Sequence, residues 1–210
     1  MPLNVEFHFD FGSPNAYLSH KVLPDIAART GVAITYVPVL LGGIFKLTNN
    51  QPPMVQFKGI KNKGEYQRIE TARFIRKHGL TQFQMNPHFP VNTVQIMRGA
   101  LVAERGGFLA RYVDQVFHHM WEAPKKMDDA AVIRAALDAS GLDGQAILDG
   151  IEDRAIKDKL IANTEASVAR GNFGSPTIFV GDEMFFGKDR LREVEEEIFA
   201  ATHRNPSGAI

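Results

Sequence analysis

Val5, Phe7 and Phe9 alternate with Glu6 and His8, a period of two that reads as a strand with one face in a core. Ser13-Pro14 then has the form of a helix N-cap followed by proline at the first helical position. Leu18, Val22 and Ile26 continue at spacing four down one helical face. Pro24 falls inside that run, lacks a backbone donor and is expected to kink the helix. Gly31 closes it, and Val32 to Val39 reads as a second strand with Val32, Ile34 and Tyr36 on one side.

The stretch up to about residue 60 is punctuated by Gly42-Gly43, Asn49-Asn50 and Pro52-Pro53, and predicts an irregular segment with one helical turn at Ile44 to Leu47. Helical spacing then takes over: Tyr66, Ile69, Ala72 and Ile75 mark one helix, and Val94, Met97 and Leu101 another. Leu109, Tyr112, Val113, Val116, Phe117 and Met120 give the fullest amphipathic pattern. Asp128 and Asp143 are expected to cap two shorter helices, and Ile156, Leu160, Thr164 and Val168 carry a last one that Gly171 stops. Period two returns in Thr177 to Val180 and Glu183 to Phe186, around the hairpin signal Gly181-Asp182. Asp189 opens a final amphipathic helix with Leu191, Val194 and Ile198 on one face, and a polar tail from His203 is expected to fray.

This order, βαβ, a helical block, then ββα, is that of an α/β thioredoxin-like fold with a large all-helical insertion at its crossover. The expected division is 1–59 with 171–202 for the thioredoxin-like domain, 60–170 for the inserted helical domain, and 203–210 for a flexible tail. The 210 residues suffice for such a domain. Lysine plus arginine, 24, cancel aspartate plus glutamate, 24, which argues against a nucleic-acid partner. No apolar run approaches the roughly 18 residues of a membrane helix, and the N-terminus moves straight into a strand pattern, so the cytoplasm is the expected compartment. Cysteine is absent, which excludes a cysteine nucleophile, a zinc–thiolate site and a self-contained disulfide oxidoreductase.

In thioredoxin-like proteins the redox Cys-x-x-Cys sits where the first strand enters the first helix, and here that corner is Gly12-Ser13-Pro14-Asn15. A helix start favours an anion and lowers a thiol's pKa, and Ser13 has the group to donate a proton to a bound sulfur. Capping alone explains Ser13 equally well. Gly174-Ser175-Pro176-Thr177 precedes the third strand, where this fold carries a cis-proline whose neighbouring backbone pairs with peptide-like ligands.

Phe9-Asp10-Phe11-Gly12-Ser13-Pro14, Phe173-Gly174-Ser175-Pro176-Thr177 and Phe186-Gly187-Lys188-Asp189-Arg190-Leu191 resemble blocks of the 2-hydroxychromene-2-carboxylate isomerases and kappa-class glutathione transferases, in the DsbA-like branch of the thioredoxin superfamily. Asn49-Asn50-Gln51-Pro52-Pro53, Phe89-Pro90-Val91-Asn92-Thr93 and Trp121-Glu122 are similar to further blocks, in order along nearly the whole chain. The resemblance implies glutathione as cofactor. Ser13 then matches the serine that bonds its sulfur, Asn50 an asparagine nearby, and Ser175 before Pro176 the backbone partner of its cysteinyl unit. Asp189 would hold the γ-glutamyl amine. Lys63 would help bind glutathione, with Lys58 and Lys61 close by. The implied reaction is isomerisation of 2-hydroxychromene-2-carboxylate, or a similar small aromatic substrate, by reversible thiol addition, ring opening and elimination, in a homodimer.

Phe45, Phe89 and Met97 are candidates for an apolar substrate pocket, or else core. The alternatives are a kappa-like transferase that releases stable conjugates and a non-catalytic module that binds extended peptides at Pro176. His118 and His119 are adjacent on a helix, so they point apart and no metal site is expected. Arg68 to Lys77 reads as a solvated face, and Asp10 as either tuning the corner or bonding nearby backbone.

Overall fold

The computed structural model describes residues 3–203; Met1, Pro2 and 204–210 lie outside them, and with these most of the expected tail, whose first residue His203 closes the last helix. Strands β1 (Val5–Phe9) and β2 (Ile34–Pro38) pair in parallel, with Phe7 opposite Tyr36. Strand β3 (Thr177–Val180) runs antiparallel to β1, with Phe7 opposite Ile178, and β4 (Glu183–Phe186) pairs with β3. The order β2-β1-β3-β4 is the thioredoxin-like arrangement expected from the pattern.

As a central strand β1 is covered on both faces, so Val5, Phe7 and Phe9 are buried on one side and His8 on the other. Phe7, Phe9 and Phe11 form a ladder with centroids 5.6 and 5.2 Å apart, and Phe117 meets Phe11 at 4.8 Å. That last contact seats α7 (Leu109–Trp121), whose predicted stripe is buried from Tyr112 to Met120, with Leu109 half-buried. Helix α6 (Val94–Arg105) packs on α7 and β2, and α10 (Arg154–Ala169) on α6 and β2. Between them lie α8 (Ala130–Ala139) and α9 (Gly144–Gly150). Helix α11 (Leu191–His203) closes the fold against β3 and α2.

Several local expectations are corrected. Pro24 does more than kink a helix: it stands in the first turn of α2 (Leu23–Thr30), separate from α1 (Pro14–His20). The single turn at Ile44 to Leu47 is a full helix, α3 (Leu41–Thr48), because Gly43 packs closely on Thr164 and the Leu41 N–H is held by Asp10. A short helix α4 (Pro53–Gln56) follows. Asp143 caps α9, but α8 is capped by Asp129 and not Asp128, whose carboxylate is taken by Lys126 and the Asn92 N–H. Helix α5 (Lys63–His78) exists, yet its predicted inward face is open: Tyr66 is 55% and Ile69 41% exposed, and Phe74 is its one buried residue. Periodicity identifies an apolar stripe without saying whether another element covers it.

Among the described residues no helix is long and apolar enough to cross a membrane, and no cluster of His, Asp and Glu is arranged to hold a metal ion.

Candidate functional site

The end of β1 turns sharply into α1. The Ser13 N–H donates to the Asp10 carbonyl at 3.0 Å, and Gly12 fits the turn because a Cβ there would lie 3.1 Å from Thr93 Cγ2. Ser13 has extended backbone, and its Oγ accepts the Ala16 N–H at 3.2 Å, so it does cap the helix. The same oxygen donates its proton across the corner to the Ser175 carbonyl at 2.8 Å. Both residues are buried, and the Ser175–Pro176 bond is cis, as is Phe89–Pro90.

The proline loop is fastened from beneath. Asn172 Oδ1 accepts the Gly174 N–H and the Thr177 hydroxyl, each at 2.8 Å, and Asn172 Nδ2 donates to Ser167 Oγ at 2.7 Å. Ser167 Oγ in turn shares a hydrogen bond with His8 Nδ1 at 2.8 Å. The other ring nitrogen, Nε2, lies 3.7 Å from the Glu6 carboxylate. Burial, partly opposed by the Glu6 carboxylate, pushes His8 down to about 4, so the ring is neutral. The sequence reading passed over His8, Ser167 and Asn172; only the Asn-x-Gly spacing of 172–174, an Asx-turn form, signals any of them.

Asn50 joins the loop through Nδ2, which donates to the Phe173 carbonyl at 2.9 Å. The Gly187 N–H donates to the Pro176 carbonyl at 3.0 Å and so brings in a 3₁₀ turn, Lys188–Arg190. Asp189 lies in that turn, ahead of α11 instead of opening it; its carboxylate is 69% exposed and pairs with the buried Lys188. Ser13, Asn50, Ser175 and Pro176 are therefore bound into one corner, with Asp189 at its edge. Lys63, the first residue of α5, holds its Nζ 4.9 Å from the centre of the Phe57 ring.

Met97 is core, its sulfur accepting the Phe11 N–H, while Phe45 and Phe89 are half-buried, Phe89 against Trp121. A cavity of about 400 Å³ lies between α2, α5 and the 3₁₀ turn, lined by Ile26, Phe74, Lys188 and Asp189 among others. A second, of about 610 Å³, opens between Val102, Phe108, Arg111 and Leu142. Neither is lined by Ser13. Behind α1, burial works to raise Glu122, but bonds from His118, Lys21 and Tyr17 overcome it and hold the carboxylate at about 2.

The corner offers a hydroxyl proton, a bent backbone edge and, beside it, an exposed carboxylate. The family model of the DsbA-like thioredoxin domain matches residues 4–199. The 2-hydroxychromene-2-carboxylate isomerase of Pseudomonas putida is 27% identical over 96% of this chain and 97% of its own length. Human glutathione S-transferase kappa 1 is 26% identical over 91% of this chain and 88% of its own. A solved structure of 2-hydroxychromene-2-carboxylate isomerase superposes with a TM-score of 0.79 at 27% identity, covering 96% of this chain and 97% of that one. A probable DsbA oxidoreductase of Streptomyces coelicolor, 14% identical with a TM-score of 0.72 over 99% of this chain and 94% of its own, shares the fold. The chain belongs to the DsbA-like thioredoxin family, and its relatives there include isomerases and kappa-class glutathione transferases.

Proposed function

We propose that this chain is a glutathione-dependent isomerase of 2-hydroxychromene-2-carboxylate or a similar aromatic intermediate, acting in the cytoplasm as a homodimer. The observation that carries this reading is the Ser13 hydroxyl aimed at the Ser175 carbonyl, 2.8 Å away, in a chain with no cysteine. Bound glutathione supplies a thiol that adds to a conjugated substrate and leaves it again. The chain's own part is to bind, orient and hold a proton. Ser13 transfers its hydrogen bond from the Ser175 carbonyl to the sulfur, an interaction with a charged acceptor worth roughly 1.5–3 kcal/mol. The freed backbone of Ser175 pairs with the cysteinyl unit. Asp189, already exposed, exchanges Lys188 for the γ-glutamyl ammonium. Asn50 keeps the proline loop in place, and Lys63 provides a cation for a glutathione carboxylate.

Incubation with 2-hydroxychromene-2-carboxylate and glutathione tests the reading. Isomerised product with no net loss of thiol supports it. One thiol consumed per turnover assigns the kappa-like transferase activity instead. Calorimetry showing no affinity for glutathione leaves a peptide-binding module.

A further inference from the structure

Asp10 is a buried ionisable group that this chemistry leaves unused, three residues before Ser13 and 1% exposed. Its Oδ1 accepts the Gly12 N–H at 2.8 Å, its Oδ2 accepts the Leu41 N–H at 2.7 Å, and the Thr93 side chain adds a third bond. Its own N–H donates to Ser175 Oγ at 3.1 Å, and its carbonyl accepts the Ser13 N–H at 3.0 Å. One residue thus ties β1, the start of α3, the turn before α6 and the proline loop around the Ser13 hydroxyl.

A carboxylate can accept both amides, whereas an asparagine presents one accepting oxygen. Holding a buried charge without a cation is nevertheless costly. Burial pushes the Asp10 carboxyl up, against the bonds from Leu41, Gly12 and Thr93. The ionisable groups on the surrounding elements are engaged elsewhere or exposed. His8 of β1 bonds Ser167, His20 of α1 bonds Tyr36 and Asp114, Lys46 of α3 is exposed, and in α6 Arg105 pairs with Asp153 and Arg98 acts on Glu152.

We propose that Asp10 is a positioning residue of the thiol site: it fixes the corner through the Gly12 and Leu41 amides, and its negative charge keeps a thiol bound at Ser13 from ionising too readily. This rests on the glutathione reading. The Ser13 hydroxyl and the helix start pull a thiol's pKa down. Nucleophilicity falls with pKa, and the best attacking thiol ionises near ambient pH. A charge beneath the corner supplies the opposing influence, so that the thiol both attacks and leaves readily.

The test compares the glutathione complexes of the wild type, Asp10→Asn and Thr93→Val, first by calorimetry and then by ultraviolet thiolate absorbance against pH. Asp10→Asn is expected to lower the thiol midpoint by about one pH unit, the order of magnitude for losing one neighbouring unit charge at an effective dielectric of about 20. Thr93→Val keeps the charge but removes one donor that offsets it, and so moves the midpoint up by a smaller amount. Thr93 makes no side-chain cap bond, so this variant keeps the experiment decisive if Asp10→Asn fails to fold. An unchanged or raised midpoint in folded Asp10→Asn, or an unchanged or lowered one in Thr93→Val, overturns the proposal. So does loss of glutathione binding in both variants, which leaves Asp10 a purely structural role. A wild type that does not bind glutathione overturns the underlying reading instead.

Discussion

Replacing Ser13 by alanine removes one oxygen that serves two partners. It accepts the Ala16 N–H at 3.2 Å and donates to the Ser175 carbonyl at 2.8 Å, from a side chain that is buried. Loss of an N-cap costs about 0.5–2 kcal/mol. The Ser175 carbonyl, itself buried, loses its donor as well, and an unsatisfied buried acceptor costs about 1–3 kcal/mol. The two losses share an oxygen and a local structure, so Ser13→Ala is expected to destabilise by about 2–4 kcal/mol in total, more than a cap alone. Urea denaturation reads this as a lower midpoint at unchanged slope. A loss below about 1 kcal/mol would refute the double role derived from the geometry. The second readout is chemical. The thiol of bound glutathione should ionise about one to two pH units higher in the variant, opposite in sign to Asp10→Asn. Loss of the cap alone leaves that midpoint where it was, so the titration separates the two contributions.

Asn172→Ala removes three bonds beneath the proline loop and should cost about 2–4 kcal/mol, with glutathione affinity falling alongside; a variant as stable as wild type in urea would show that the loop holds itself. Asp189→Ala takes the counter-ion from the buried Lys188, so stability should fall by about 1–3 kcal/mol while glutathione affinity drops about tenfold or more; unchanged affinity of the folded variant by calorimetry removes Asp189 from the site. His8 is held at about 4 when folded, against 6.5 ordinarily, so the unfolded chain takes up the proton first. Stability from this residue is complete above pH 6.5 and falls, by on the order of 3 kcal/mol, as the pH drops to about 4, with His119 acting in the same direction; a denaturation midpoint flat across that window contradicts the buried neutral ring.

The strands and long helices were legible because their periods are set by the burial they achieve. Val5, Phe7 and Phe9 face one core, and the α7 stripe faces the same phenylalanines. The Ser13 cap and the proline loop were legible because serine and proline in those places have few other uses. What escaped were arrangements made by partners distant in the chain. Ser167 and Asn172 flank the last turn of α10, and their function depends on His8, more than 150 residues earlier. Helix α3 escaped for a related reason: its two glycines read as breakers, and only the packing of Thr164 against Gly43 shows why small residues sit there. Asp10 was legible as a residue that tunes the corner or bonds nearby backbone; that one of its bonds reaches the Leu41 amide, 31 residues away, was not.

The hydroxyl at the corner also limits what the protein can store. A thiol in that position would take up and release electron pairs, so such a site is open to oxidation to a sulfenate or a mixed disulfide. An alcohol has no such ladder. A Ser13 site exposed to peroxide or to oxidised glutathione is competed for only by reversible occupancy, and dilution restores it. If the thiol bound there is glutathione, as proposed, oxidative conditions act through the supply of its reduced form, and the corner itself keeps no memory of them.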